Sequence, residues 1–187
     1  MKKEKLWSLN IPIKTNPKDL EIQNFFKICI KKLGLIPNII KTNSIDKKKF
    51  YSFNVFYKRL MQDDNYLSKI EKEMIAVVVS STNRCLYCCV SHGYTLGVLL
   101  KNVSAAKDIL INYKVASISK KHKLMLDFVS KLTLESHKII DEDRNKLRKA
   151  KFSEYQILEI IEVTAFFNMT NRIASGTNMI PNKEYYS

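Results

Sequence analysis

The stretch EMIAVVVSSTNRCLYCCVSHGYTLG, residues 73–97, decides how this chain is read. Its IAVVVSS segment is rich in β-branched residues and would pass for a strand on propensity alone. Ser68 followed by Glu71 forms a capping box, however, and Ile70, Met74, Val77 and Val78 then recur at i, i+4, i+7 and i+8. The spacing predicts a helix over 69–81. On its wheel Glu71 and Lys72 fall on the polar side, whereas Glu73 lies in the apolar arc, about 60° from Ile70 and about 40° from Val77. A carboxylate there is costly to bury, so it needs a hydrogen-bond donor or a proton.

A second helix is predicted over 84–100, with Thr82 or Asn83 as its cap. Cys85 then falls in the first turn and Cys88 about one turn later, where free N–H groups and the helix dipole favour thiolate. His92 is four residues beyond Cys88 and seven beyond Cys85, so the three project from one side and the imidazole is placed to accept the Cys88 proton. Gly93 and Gly97 let a neighbouring helix approach closely. The helix carrying Glu73 is the expected neighbour.

Outward from this stretch, apolar residues recur at helical spacing nearly throughout, and only four Gly and four Pro interrupt them, which predicts an all-α fold. Further helices are predicted from Pro17, as a first helical residue, to Gly34, and over 45–63, 104–112, 119–133, 141–150 and 154–175. Ser153 and Gln156 form a capping box for the last. A length of 187 residues with 45% hydrophobic content fits one domain over 1–187, with 1–16 as an irregular arm. No apolar run of signal-peptide length follows the basic start, and the longest apolar runs are too short to cross a bilayer. The expectation is a soluble, cytoplasmic protein with no membrane association. In that compartment closely spaced cysteines favour a metal site or a catalytic dithiol over a permanent staple.

The net charge of +14 first suggests nucleic acid. Yet Arg is scarce, and the runs KKK at 47–49 and SKKHK at 119–123 are not interleaved with stacking aromatics, so no nucleic-acid partner is expected. For Cys85 and Cys88 three readings stand: a redox pair, inert packing, or zinc with His92 and Cys89 or a distant residue completing the set. No second C-x-x-C or H-x-x-x-H supplies the usual other half of a structural zinc site. Glu73 could instead form an ion pair with Arg84 or Arg172. Cys29 fits a core stripe, Phe166 and Phe167 fit core or subunit interface, and His122 and His137 fit a solvated face. Asn168, Asn171 and Arg172 interrupt an apolar helix, either as buried polar partners or as lining of a reactive pocket.

The spacing of Glu73, Cys85, Cys88 and His92 resembles the signature of the AhpD-like alkylhydroperoxidases of the carboxymuconolactone decarboxylase superfamily. Residues 124–176, from LMLDFVSKLTLESHK to NRIASG, resemble the C-terminal part of the family's peroxidase-related branch. The resemblance implies an AhpD-like bundle of about seven to eight helices, a homo-oligomer, and thiol-dependent peroxidase activity needing no cofactor or metal. It implies Cys88 as peroxidatic thiol, Cys85 as resolving thiol, His92 as base and Glu73 as the group orienting it. Some members carry a second His just before the second Cys; here that position is Tyr87, as in other peroxidase-related members. Cys89, adjacent to Cys88 but about 100° away around the helix, is either packed or a competing thiol. The implied partners are a small hydroperoxide and a dithiol reductant, either a lipoyl-bearing adaptor or a thioredoxin-like protein. The rival reading is a non-catalytic dithiol that senses oxidants or exchanges disulfides.

Overall fold

The computed structural model describes residues 6–13, 17–63 and 66–186. Among these residues there are nine α-helices and no strand, as the helical periodicity predicts: α1 Leu20–Leu33, α2 Asn38–Asn43, α3 Lys47–Tyr57, α4 Lys69–Thr82, α5 Leu86–Leu100, α6 Val103–Asn112, α7 Lys120–Leu134, α8 Asp141–Lys149 and α9 Glu154–Gly176. The capping boxes at Ser68 and Ser153 are both formed. Pro17 does not open the first helix; the Asp19 carboxylate accepts from the Glu21 and Ile22 N–H groups and caps α1 instead. The six-residue α2 was not expected, and α3 continues into a π-helical turn at Lys58–Gln62. Of the expected N-terminal arm, residues 1–5 and 14–16 lie outside the described residues, and 6–13 form no helix or strand.

The fold is organised around α4, which packs against α5, α6, α7 and α9. Nine consecutive residues, Lys72 to Ser80, are buried. A helix enclosed on all sides has little need of a polar face, which is why its centre reads like a buried strand. Lys72 corrects the helical wheel: expected on the polar side, it is fully buried, with Nζ 3.0 Å from Glu159 Oε1 of α9 and donating to Asp63 O at 3.2 Å. Glu159 Oε2 accepts the Tyr66 and Leu67 N–H groups at 3.0 and 2.7 Å, so it also ties down the chain entering α4.

Four helices end in the same way. After α4, α5, α8 and α9 a residue with left-handed backbone, Arg84, Lys101, Lys151 or Asn178, turns the chain, and the paired hydrogen bonds of a Schellman motif close the end. At α4 the bonds are Arg84 N–H to Ser81 O and Cys85 N–H to Ser80 O, both 3.0 Å; at α9 they are Asn178 N–H to Ser175 O and Met179 N–H to Ala174 O. Glycine usually occupies such positions because it lacks the Cβ clash. Here only Gly34, after α1, does so.

Candidate active site

The two Schellman turns at Arg84 and Asn178 determine the site. The first delivers Cys85 directly as the N-cap of α5, two residues after Asn83, the later of the two caps the sequence suggests, so Thr82 belongs to α4 and Asn83 caps its C-terminus. The second brings Met179 back onto the cysteines. Cys85, Tyr87, Cys88, Ala174 and Met179 form one buried apolar cluster, with Ile39 of α2 packed against it. Cys85 and Cys88 are 1% and 4% exposed. All four cysteines are free thiols.

Within the Cys85–Cys88 pair the negative charge is favoured on Cys85. The Cys88 thiol beside it is the largest influence; the Cys88 backbone N–H, the Ser175 hydroxyl and the His92 imidazole add to it, and together they outweigh burial to bring Cys85 down to about 6. Cys88 is raised, first by its hydrogen bond with Cys85 and then by burial, while the Asn171 amide acts the other way. The two thiols titrate as a pair, with the first ionisation favoured on Cys85. Burial, with the Cys85 charge behind it, pushes Cys89 up to about 11, which suits a packed protonated thiol.

Glu73 and His92 are brought together as a pair: Nδ1 of His92 lies 2.8 Å from Glu73 Oε2, across the α4–α5 contact. This replaces the alternative of an ion pair with Arg84 or Arg172; Arg172 instead donates to the Asn168 carbonyl and side-chain oxygens at 2.8 and 2.7 Å. Because an ionised carboxylate only accepts, Nδ1 carries the proton and Nε2 is left as the basic nitrogen. The ring stands edge-on to Phe167, centroids 4.6 Å apart. No hydrogen bond joins His92 to either sulfur among the described residues, and a protonated ring would favour the Cys85 thiolate. Tyr57 is raised by burial and then by the Glu73 charge, and Tyr185 by burial and then by the Glu184 charge, with Glu73 the smallest cause; the sequence singled out neither phenol.

The remaining candidates separate. Tyr87 OH accepts the Ile39 N–H at 3.1 Å and so tethers α2 beside the thiols. Asn168 bonds Asn83, Thr133 and Thr164 O away from the sulfurs. Asn171, one of the polar residues the sequence marks in α9, favours the Cys88 thiolate, and Ser175, which the sequence did not single out, favours that of Cys85. Gly93 and Gly97 face α6 instead of the Glu73 helix: a Cβ at Gly97 would meet the Val103 backbone at 3.4 Å, and one at Gly93 would meet Leu110 at 3.5 Å. A hollow of about 200 Å³ lies against Cys85, lined by Arg84, Leu86, Tyr87, Ala174, Ser175, Asn178 and Met179. A wider one of about 360 Å³, among Lys120, Lys121, Leu124, Lys149 and Ala150, includes none of these groups. Among the described residues no three His, Cys, Asp or Glu side chains are placed to hold a metal ion, so the zinc alternative has no donor set there. Nor is any described helix long and apolar enough to cross a membrane.

Residues 50–101, which span Glu73, Cys85, Cys88 and His92, match the model of the carboxymuconolactone decarboxylase family. A solved structure of an uncharacterized peroxidase-related protein from Silicibacter sp. TM1040 is 41% identical over 100% of this chain and 97% of its own, with a TM-score of 0.95. The alkylhydroperoxidase AhpD core of a peroxidase-related protein from Ralstonia eutropha JMP134 is 33% identical over 94% of this chain and 96% of its own, with a TM-score of 0.85. The chain belongs to the AhpD-like carboxymuconolactone decarboxylase superfamily. The debrominase Bmp8, at 16% identity and a TM-score of 0.79 over 93% of this chain and 92% of its own, shares the AhpD-like fold alone. No curated protein matches the chain.

Proposed function

We propose that this AhpD-like protein is a thiol-dependent peroxidase that reduces hydroperoxides through Cys85 and Cys88, with His92 and Glu73 handling the protons. One observation carries the reading: a free dithiol with one depressed thiol sits within electrostatic reach of His92, which is paired with the buried Glu73. In the resting pair Cys85 is thiolate, Cys88 is thiol, and His92 holds the displaced proton opposite Glu73. The Cys88 proton moves to Cys85, and the Cys88 thiolate attacks the O–O bond. That bond breaks, Cys88 becomes a sulfenic acid, and the alkoxide takes the His92 proton and leaves as alcohol. Cys85 returns its proton to His92 and attacks the Cys88 sulfur. The S–O bond breaks, hydroxide leaves as water with that proton, and a disulfide remains. A dithiol reductant, a lipoyl-bearing adaptor or a thioredoxin-like protein, restores both thiols. Association of identical chains is part of the reading, supported by the exposed Val98, Val103, Ile111 and Val115 on and beside α5 and α6.

Stopped-flow reduction of tert-butyl hydroperoxide by dithiothreitol, with mass spectrometry of the oxidised protein, tests it. Many turnovers, a Cys85–Cys88 bridge and loss of turnover in Cys88→Ser are expected. Consumption of one equivalent per chain would mark a redox sensor instead, and trapping of sulfenate on Cys85 alone would reverse the two thiol roles.

A further inference from the structure

The hydrogen bond from Nδ1 to Glu73 fixes one corner of the His92 ring and leaves its plane to be set by something else. The torsion that turns an imidazole is soft, with broad wells in place of three sharp staggered ones. A ring held at Nδ1 alone still tilts about that contact, and the tilt carries Nε2, the basic nitrogen across the ring, with it. Phe167 of α9 stands in the way: its ring lies 4.6 Å from the imidazole, centroid to centroid, at 78° to its plane. Phe167 is 1% exposed and is itself braced, at 5.4 Å and 86°, by Phe166. Phe166 in turn packs against Phe53, Phe56 and Tyr57 of α3, with ring centroids 5.6, 5.5 and 6.1 Å away. A ring hemmed in this way has little room to retreat, so the imidazole meets a fixed wall instead of a yielding side chain.

We propose that Phe167 is a positioning residue for the thiol chemistry: its ring holds the plane of His92, so that Nε2 keeps one direction while protons pass to and from it. This rests on the peroxidase reading above and adds to it the contact that fixes the base. Two constraints divide the task. Glu73 selects the tautomer by accepting the Nδ1 proton, and Phe167, which has no polar side-chain atom, restricts rotation without competing for that hydrogen bond. A base held by both transfers its proton from one geometry, without first searching for it.

The test is nuclear magnetic resonance of isotope-labelled histidine, practicable because the chain has three histidines and the His92 signals are those lost in His92→Gln. In wild type, carbon relaxation should show the His92 ring as rigid as backbone, with an order parameter of about 0.85, and the nitrogen shifts should show Nδ1 carrying the proton. Phe167→Leu keeps apolar bulk but removes the wall. It should drop the order parameter below about 0.6 and mix the second tautomer into the nitrogen shifts. Its kcat for tert-butyl hydroperoxide with dithiothreitol should fall about tenfold with KM unchanged. Phe50→Leu, an equally buried ring in the separate cluster of α1, α2 and α3, controls for lost packing and should leave ring and kcat at wild-type values. A mobile His92 ring in wild type would overturn the proposal even if Phe167→Leu fails to fold. Equal effects of the Phe50 and Phe167 variants would overturn it too, as would an unchanged ring in Phe167→Leu or, where wild type turns over, an unchanged kcat. A ring that loosens only in Phe167→Leu, in a protein that consumes no hydroperoxide, would uphold the clamp while sinking the peroxidase reading.

Discussion

Glu73 Oε2 and His92 Nδ1 meet at 2.8 Å where α4 crosses α5, and the Glu73 side chain is nearly closed to solvent. The carboxylate fixes the ring tautomer and offsets the charge of the protonated imidazole. Glu73→Gln keeps an oxygen for the Nδ1 proton but removes that charge. Peroxide turnover should fall about 100-fold, within the range of general acid–base contributions, while circular dichroism stays unchanged. Undiminished turnover would remove Glu73 from the chemistry.

The thiol pair predicts a pH dependence with a definite sign. Cys85 sits below the ordinary thiol value, at about 6, chiefly through Cys88. Alkylation of wild-type Cys85 should therefore reach half its maximal rate near pH 6, and Cys88→Ala should move that midpoint upward. A depressed acid adds stability above its unfolded value of about 8.5, and the gain is lost as pH falls through the folded value. Urea midpoints of the reduced protein should thus drop between pH 8.5 and 6 by more in wild type than in Cys85→Ala.

Lys72 and Glu159 give a stability prediction remote from the thiols. Lys72→Met leaves a buried carboxylate without its cation and should cost about 3–5 kcal/mol in urea unfolding. Adding Glu159→Gln removes the orphaned charge while keeping an oxygen for the Tyr66 and Leu67 N–H groups, and should restore part of the loss. Additive losses would show that the two residues do not act as a pair.

Arg84 holds a left-handed backbone with φ of 53° at the turn that delivers Cys85. Arg84→Gly relieves the Cβ clash and should raise stability by about 1 kcal/mol, read as a higher thermal midpoint. A lower midpoint would mean that Arg84 contributes contacts outweighing its backbone cost.

The helices and the central quartet were legible because their signals are local: capping boxes at Ser68 and Ser153, and a cysteine–histidine register on one helix. What escaped was set by distant partners. Lys72 reads as a surface residue until Glu159 of α9 is beside it, and Ser175 becomes relevant only when α9 lies against α5, while Asn171, marked in the sequence, proves a buried polar partner of Asn83 and Ser80. Cys85 as a cap was hidden for another reason, since Arg84 and Asn178 stand where glycine normally announces a left-handed turn. The short α2, after Pro37, owes its place to Tyr87 and Asn182, which nothing in IPNIIKTN reveals.

The Schellman turn at Asn178 leads into a segment that fastens both ends of the described chain over the sulfurs. Thr177 O accepts from Ser8 N, Ile180 N donates to Leu6 O, and Asn182 bonds the Asn38 N–H and the Ile36 carbonyl. The ends thus form a single buckle, and nicking it on either side should loosen the other. Proteolytic cleavage after Gly176 would unroof Cys85 by carrying off Met179, so the rate at which thiol reagents enter becomes a gauge of how often the buckle springs open.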